Sequence, residues 1–190
     1  MDIANIFKSK TRKAIFRLYF TNSDKEYYLR ELERLLKIPV SMIRKELQRL
    51  EDEGLFKSRN KANLTFFSIN KEYPLFEELK SIVQKTIGVG GLLKQLFEKE
   101  KNVKIAFIYG SFAKGDEKSI SDIDLFIVGN IDESKLVSKI NRLEKTLRRE
   151  INYTLFSQAE FKRRKTQKDS FVKDLLKNQK IFLVGDKNDL

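Results

Sequence analysis

The sequence predicts an α+β chain in two parts. Three observations lead there. The first 70 residues carry three segments with apolar residues at helical spacing, then two short apolar runs that read as a hairpin. From residue 103 onward, strand-like apolar runs alternate with helical stripes. Between these parts an amphipathic stretch is broken by Gly88-Val89-Gly90-Gly91. The expected organisation is a first domain over 1–72, a helical connector over 73–100 and a second domain over 101–190.

In the first domain, Ile3, Ile6 and Phe7 lead into a helix whose stripe is Ile15, Leu18 and Tyr19. Thr21-Asn22-Ser23-Asp24 supplies turn chemistry. A second helix over 29–36 places Leu29, Leu32, Leu35 and Leu36 together, and Lys37-Ile38-Pro39 breaks it. A third helix over 41–53 is expected to start at a Ser41 cap, bury Ile43, Leu47 and Leu50, and stop at Gly54. Ser41, Met42, Arg44, Lys45, Gln48 and Arg49 then face outward. Strands over 55–58 and 64–69 flank a basic turn containing Arg59, Asn60, Lys61 and Asn63.

Helix, short turn, helix and hairpin over residues 5–70 resemble the winged helix-turn-helix of ArsR- and MarR-like regulators. The resemblance rests on Tyr28-Leu29-Arg30-Glu31-Leu32, on the run from Val40 to Leu47 and on the run from Leu50 to Leu55. It implies a partner in double-stranded DNA, with the third helix in a major groove and the hairpin on backbone or minor groove. Ser41, Arg44, Lys45, Gln48 and Arg49 become the DNA-facing set, with Arg59 and Lys61 on the wing. Relatives of this kind are commonly homodimers. The competing reading makes these charges a solvated face on an interaction module; Glu46, Glu51, Asp52 and Glu53 on the same helix favour it.

Tyr73-Pro74 opens the connector, with Leu75, Phe76, Leu79, Ile82 and Val83 as its stripe. Leu92, Leu93, Leu96 and Phe97 resume that stripe after the glycines. Such a helix packs on a second copy of the chain or covers the second domain.

The second domain concentrates the chemistry. A buried strand over 103–109 runs into Gly110-Ser111-Phe112-Ala113-Lys114-Gly115-Asp116, and Ser121-Asp122-Ile123-Asp124-Leu125 follows. On a strand, Asp122 and Asp124 share one face while Ile123, Leu125 and Ile127 share the other and enter the core. Two adjacent carboxylates suit a hard divalent cation between them. A glycine at the turn lets backbone approach a ligand closely, and the Ser111 hydroxyl and free N–H groups beside it can hold phosphate oxygens.

This pattern resembles the minimal nucleotidyltransferases of the DNA polymerase β superfamily over residues 90–190. The resemblance implies a nucleotidyltransferase fold with a mixed β-sheet. Gly110, Ser111 and Lys114 would lie on the triphosphate of an NTP, with ATP first among the candidates. Asp122 and Asp124 would bind Mg²⁺ or Mn²⁺ and act in catalysis. A third carboxylate is expected on a later strand, and here the chain departs from the pattern: its place is taken by Asn152, which is neither a base nor a charged ligand. Either Glu150, on the same face, supplies the carboxylate, or the metal site is incomplete and nucleotide binding remains. A helix over 133–149 precedes that strand. Ser157-Gln158-Ala159-Glu160 then reads as a capping box for a basic helix carrying Lys162, Arg163, Arg164 and Lys165.

Composition narrows the classes of function. The 190 residues carry a net charge of +12, which suits a polyanionic partner or an ordinary solvated surface. With no Cys there is no disulfide frame, and with no His neither imidazole acid–base catalysis nor a zincin site is available. No leader or spanning run is recognised, so no membrane partner is expected and a cytoplasmic location is the default. Two functions stand side by side. One is a winged-helix DNA-binding protein that transfers NMP, AMP first, to an unknown acceptor; a toxin acceptor would make it an antitoxin. The other is a transcriptional regulator whose degenerate nucleotidyltransferase domain only binds nucleotide.

Overall fold

The computed structural model describes residues 7–98, 100–114 and 121–190. The expected Ile3, Ile6, Gly115 and Asp116 lie outside that set. The chain divides into two compact units, 1–88 and 89–190.

In the first unit α1 (Lys10–Thr21), β1 (Tyr27–Tyr28), α2 (Leu29–Leu36) and α3 (Val40–Asp52) precede a hairpin of β2 (Phe56–Lys61) and β3 (Leu64–Ile69). The helix α4 (Phe76–Thr86) closes the unit. The three-stranded sheet has the order β1-β3-β2 and is antiparallel throughout. Strand β1 was not foreseen: two tyrosines are too short a run to carry a period, and they become a strand only by pairing with Phe66 and Phe67. Tyr19 anchors the core. Its ring meets Tyr27 and Phe56 edge-on, with centroids 5.2 and 4.8 Å away, and its hydroxyl donates to the Phe67 carbonyl.

Three local readings need correction. Ser41 is not the cap of α3: the helix starts at Val40, and the Val40 N–H donates to Glu33 on α2 at 3.0 Å, so a neighbouring helix does the capping. Arg59 and Lys61 are not in the turn but on β2. The turn shrinks to Ala62-Asn63, with Ala62 at φ 51°, which lets the ladder run on to the pair Lys61–Leu64. Gly90 and Gly91 do not interrupt a helix; they are buried inside α5 (Val89–Phe97), and the break is confined to Ile87 and Gly88. Gly54 does end the α3 segment, at φ 79° just past the cap.

The second unit comprises α5, β4 (Val103–Tyr109), α6 (Gly110–Lys114), β5 (Ile123–Gly129), α7 (Glu133–Leu147), β6 (Ile151–Phe156), α8 (Gln158–Thr166), α9 (Ser170–Lys177) and β7 (Ile181–Val184). Its sheet has the order β6-β5-β4-β7 and is mixed: β5 is parallel to β6 and antiparallel to β4. Both faces are covered. Ile123, Leu125 and Ile127 pack with Leu93, Leu136, Ile140 and Leu147 of α5 and α7. Phe126, on the opposite face, joins Phe107, Phe156, Phe161 and Val172 beneath α8 and α9. Asp124 shares the Phe126 face and stands, half-buried, near the start of β5.

Candidate functional site

The site grows out of the end of β4, the start of α6 and the head of β5. In the antiparallel ladder Asp124 lies opposite Tyr109, and in the parallel ladder it lies beside Asn152. Gly110 follows Tyr109 directly and holds φ 73°, a left-handed conformation that side chains resist. A Cβ placed there would overlap the Asp124 carboxylate, 3.2 Å from its Cγ and nearer still to Oδ2. The phosphate-binding candidate and the metal-binding candidate are thus one contact, not two neighbouring motifs. Ser111 is half-buried one residue further on, and Lys114 is exposed at the end of α6.

Asp122 and Asp124 are both half-buried. Burial pushes the Asp124 carboxyl above the usual aspartate range, and the neighbouring Asp122 pushes it the same way. Burial also raises the Tyr109 hydroxyl; a hydrogen bond shared with Thr154 partly opposes this, and the charge of Asp124 adds to it. Two hard oxygen donors that repel each other fit a divalent cation, which would relieve the strain on Asp124. Asn152 stands where the third carboxylate was looked for, and its Nδ2 donates to Asp122 Oδ2 at 3.0 Å. Among the described residues no three Asp, Glu, His or Cys side chains gather as a metal-ligating cluster. Glu150 is exposed ahead of β6, and its carbonyl accepts the Ile123 N–H.

Arg149, which the sequence places only at the end of the helix over 133–149, is part of the site's frame. It is only 6% exposed. Its Nε donates to the Ser121 carbonyl at 2.9 Å and its guanidinium lies over the Phe112 ring of α6. One side chain therefore ties the segment before Asp122 to the helix after Gly110. No composition signal marks it, because its burial follows from the end of α7, where Arg148 takes a left-handed φ of 56°.

The second set of candidates lies on the first unit. All six outward residues of α3, Ser41, Met42, Arg44, Lys45, Gln48 and Arg49, are exposed. Glu46 is not among them: it is 7% exposed and accepts a bond from Arg12, so its charge is spent inside the fold. Lys61 is exposed at the tip of β2. Arg59 is exposed but occupied. It pairs with Glu26 and lies over the Phe66 ring, itself edge-on to Tyr28.

The sequence profile described as Polymerase beta, Nucleotidyltransferase matches residues 92–188 of the chain. Among curated proteins none matches. Similar solved structures include a toxin–antitoxin with AMP-PNP, 16% identical over 53% of this chain and 76% of that one, with a TM-score of 0.40. A mutant of the toxin–antitoxin MntA–HpeT is 17% identical over 52% of this chain and 73% of that one, with a TM-score of 0.35.

Proposed function

The chain belongs to the polymerase beta nucleotidyltransferase family, and we propose that its second unit holds an NTP, with ATP as the first candidate, together with Mg²⁺ or Mn²⁺, and transfers NMP to an acceptor. The observation that carries this reading is the contact between Gly110 and the Asp124 carboxylate. It brings a close-approach turn and a cation-binding pair to one point, as a metal–nucleotide complex requires.

In this reading Gly110 lets the backbone approach the phosphates, and the Ser111 hydroxyl and Lys114 ammonium hold phosphate oxygens. Asp122 and Asp124 would hold the cation, which would neutralise charge on the phosphates as an acceptor oxygen attacks the α-phosphate in line, the α–β anhydride bond breaks and pyrophosphate leaves. Arg149 keeps Ser121 and Phe112 in register so that these groups face the same ligand. Residues 1–72 serve as a winged helix-turn-helix on double-stranded DNA, with Arg44, Lys45, Gln48 and Arg49 on the groove. Support for that comes from the full exposure of the outer face of α3 and the internal neutralisation of Glu46.

A specific observation favours a second reading, nucleotide binding without turnover. Asn152 caps Asp122 with an N–H and brings no charge or basicity. Incubation with α-labelled ATP, Mg²⁺ or Mn²⁺ and a lysate of acceptors separates the two. Transfer of label that disappears in Asp122→Ala/Asp124→Ala supports the enzyme, and label on a partner protein would point to an antitoxin role. Saturable ATP binding with no transfer supports the binding reading, and Asn152→Asp should then create transfer.

A further inference from the structure

Phe171 is placed unlike the other aromatics of the second unit. It stands in the first turn of α9 and is 37% exposed, yet its ring is seated on three others. The centroids of Tyr109, Phe126 and Phe156 lie 6.3, 6.2 and 6.3 Å from it. Tyr109 is the residue that faces Asp124 across the ladder and immediately precedes Gly110. The half-exposed ring thus lies against the residue that pairs with Asp124 and leads into Gly110.

The groups around the ring are tied to one another. Asp169 accepts the Val172 N–H at 3.1 Å and so caps α9 one turn around Phe171. Arg164 lies 3.6 Å from Asp169 and 2.9 Å from Glu160, and its guanidinium sits 4.6 Å over the Phe156 ring. A large apolar ring that is packed on one side and exposed on the other offers contact area to a ligand, and its packing lowers the ordering cost of binding.

We propose that Phe171, backed by Tyr109, is the surface on which the base of the bound NTP stacks. This rests on the reading of the second unit as a nucleotide site and adds the part of the ligand that Gly110, Ser111 and the two aspartates do not touch. Stacking on an aromatic face is tolerant of base identity, because every base has a π-face and phenylalanine has no hydrogen-bonding group. The platform therefore supplies affinity for the nucleoside and little choice among purines.

Calorimetric titration of the full chain in Mg²⁺ with ATP and, separately, with inorganic tripolyphosphate tests this. Phe171→Ala should weaken ATP by about tenfold and leave tripolyphosphate within about twofold. Phe171→Leu, which keeps the packing but lacks the π-face, should also weaken ATP alone, and Phe171→Trp should restore it. ATP affinity unchanged in both Ala and Leu variants overturns the proposal, as does an equal loss of ATP and tripolyphosphate. If the wild-type chain binds neither ligand, the nucleotide reading itself fails and the stacking surface falls with it; binding of tripolyphosphate alone removes only the stacking surface.

Discussion

On α3, Ser41, Met42, Arg44, Lys45, Gln48 and Arg49 face solvent while Ile43, Glu46, Leu47 and Leu50 face the core. At the head of β5 no such division exists. Asp124 is half-buried, touches the space a Gly110 side chain would need, and neighbours Tyr109 and Asn152 on adjacent strands. The first surface is detachable from the fold that displays it, and the second is part of the fold. Substitutions should therefore separate function from stability on α3 and couple them where β4 gives way to Gly110.

The largest effect is expected on the hidden side of α3. Glu46→Ala leaves Arg12 as an uncompensated buried charge and should cost about 3–5 kcal/mol in urea unfolding. Replacing both partners, Arg12→Met with Glu46→Leu, should recover most of that loss. A double variant as unstable as the single one would show that the pair does more than neutralise itself.

Next comes the turn. Gly110→Ala meets both a disfavoured φ and the Asp124 carboxylate, and should lower stability by about 1–3 kcal/mol while weakening ATP about tenfold or more. Adding Asp124→Ala should return part of the stability and none of the binding, because the two residues contact each other and their effects are not additive. Full additivity in denaturation would mean that the two sites are separate.

The third effect is a dependence on pH. The folded-state pKa of Asp124 is raised, by burial first and by Asp122 second. Between the unfolded and folded values the native state holds more proton than the unfolded chain. The contribution is thus fully present below the ordinary aspartate range and is lost as pH rises through the raised value. Asp124→Asn should remove that part of the fall in a stability profile from acid to neutral pH. A variant with a steeper fall contradicts the sign.

The smallest effect on stability is expected on the exposed surface. Arg44→Ala/Lys45→Ala/Arg49→Ala should leave unfolding within about 0.5 kcal/mol and reduce the slope of log K against log salt for duplex DNA by about 3. Arg59→Ala should change that slope less than any one of these, because Glu26 already neutralises it. Gel-shift titrations at several salt concentrations measure both.

These contrasts explain what the sequence disclosed. The outward set on α3 was legible because 3.6-residue spacing sorts an amphipathic helix without reference to anything else. The β4–turn–β5 stretch was legible because alternation put Ile123, Leu125 and Ile127 opposite the two aspartates. What stayed hidden depended on partners far along the chain. Glu46 read as a surface acid until Arg12, 34 residues away, was found beside it. Val40 was capped by Glu33 rather than by Ser41, since the turn at Lys37 brings α2 against the start of α3. Arg149 carried no period that marked it, and Phe171 stands at helical spacing from Leu175 as any core residue of a last helix would; what sets them apart is the contact of Arg149 with Ser121 and Phe112 and of Phe171 with Tyr109, Phe126 and Phe156.

The central claim, that Gly110-Ser111 and Asp122/Asp124 form one metal–nucleotide site, is tested most directly by ATP binding with and without Mg²⁺ in the wild-type chain and in Asp122→Ala/Asp124→Ala. The account predicts saturable binding that requires the cation in the wild type and is lost in the double variant. ATP binding of equal strength without Mg²⁺, or unchanged in the double variant, would contradict it.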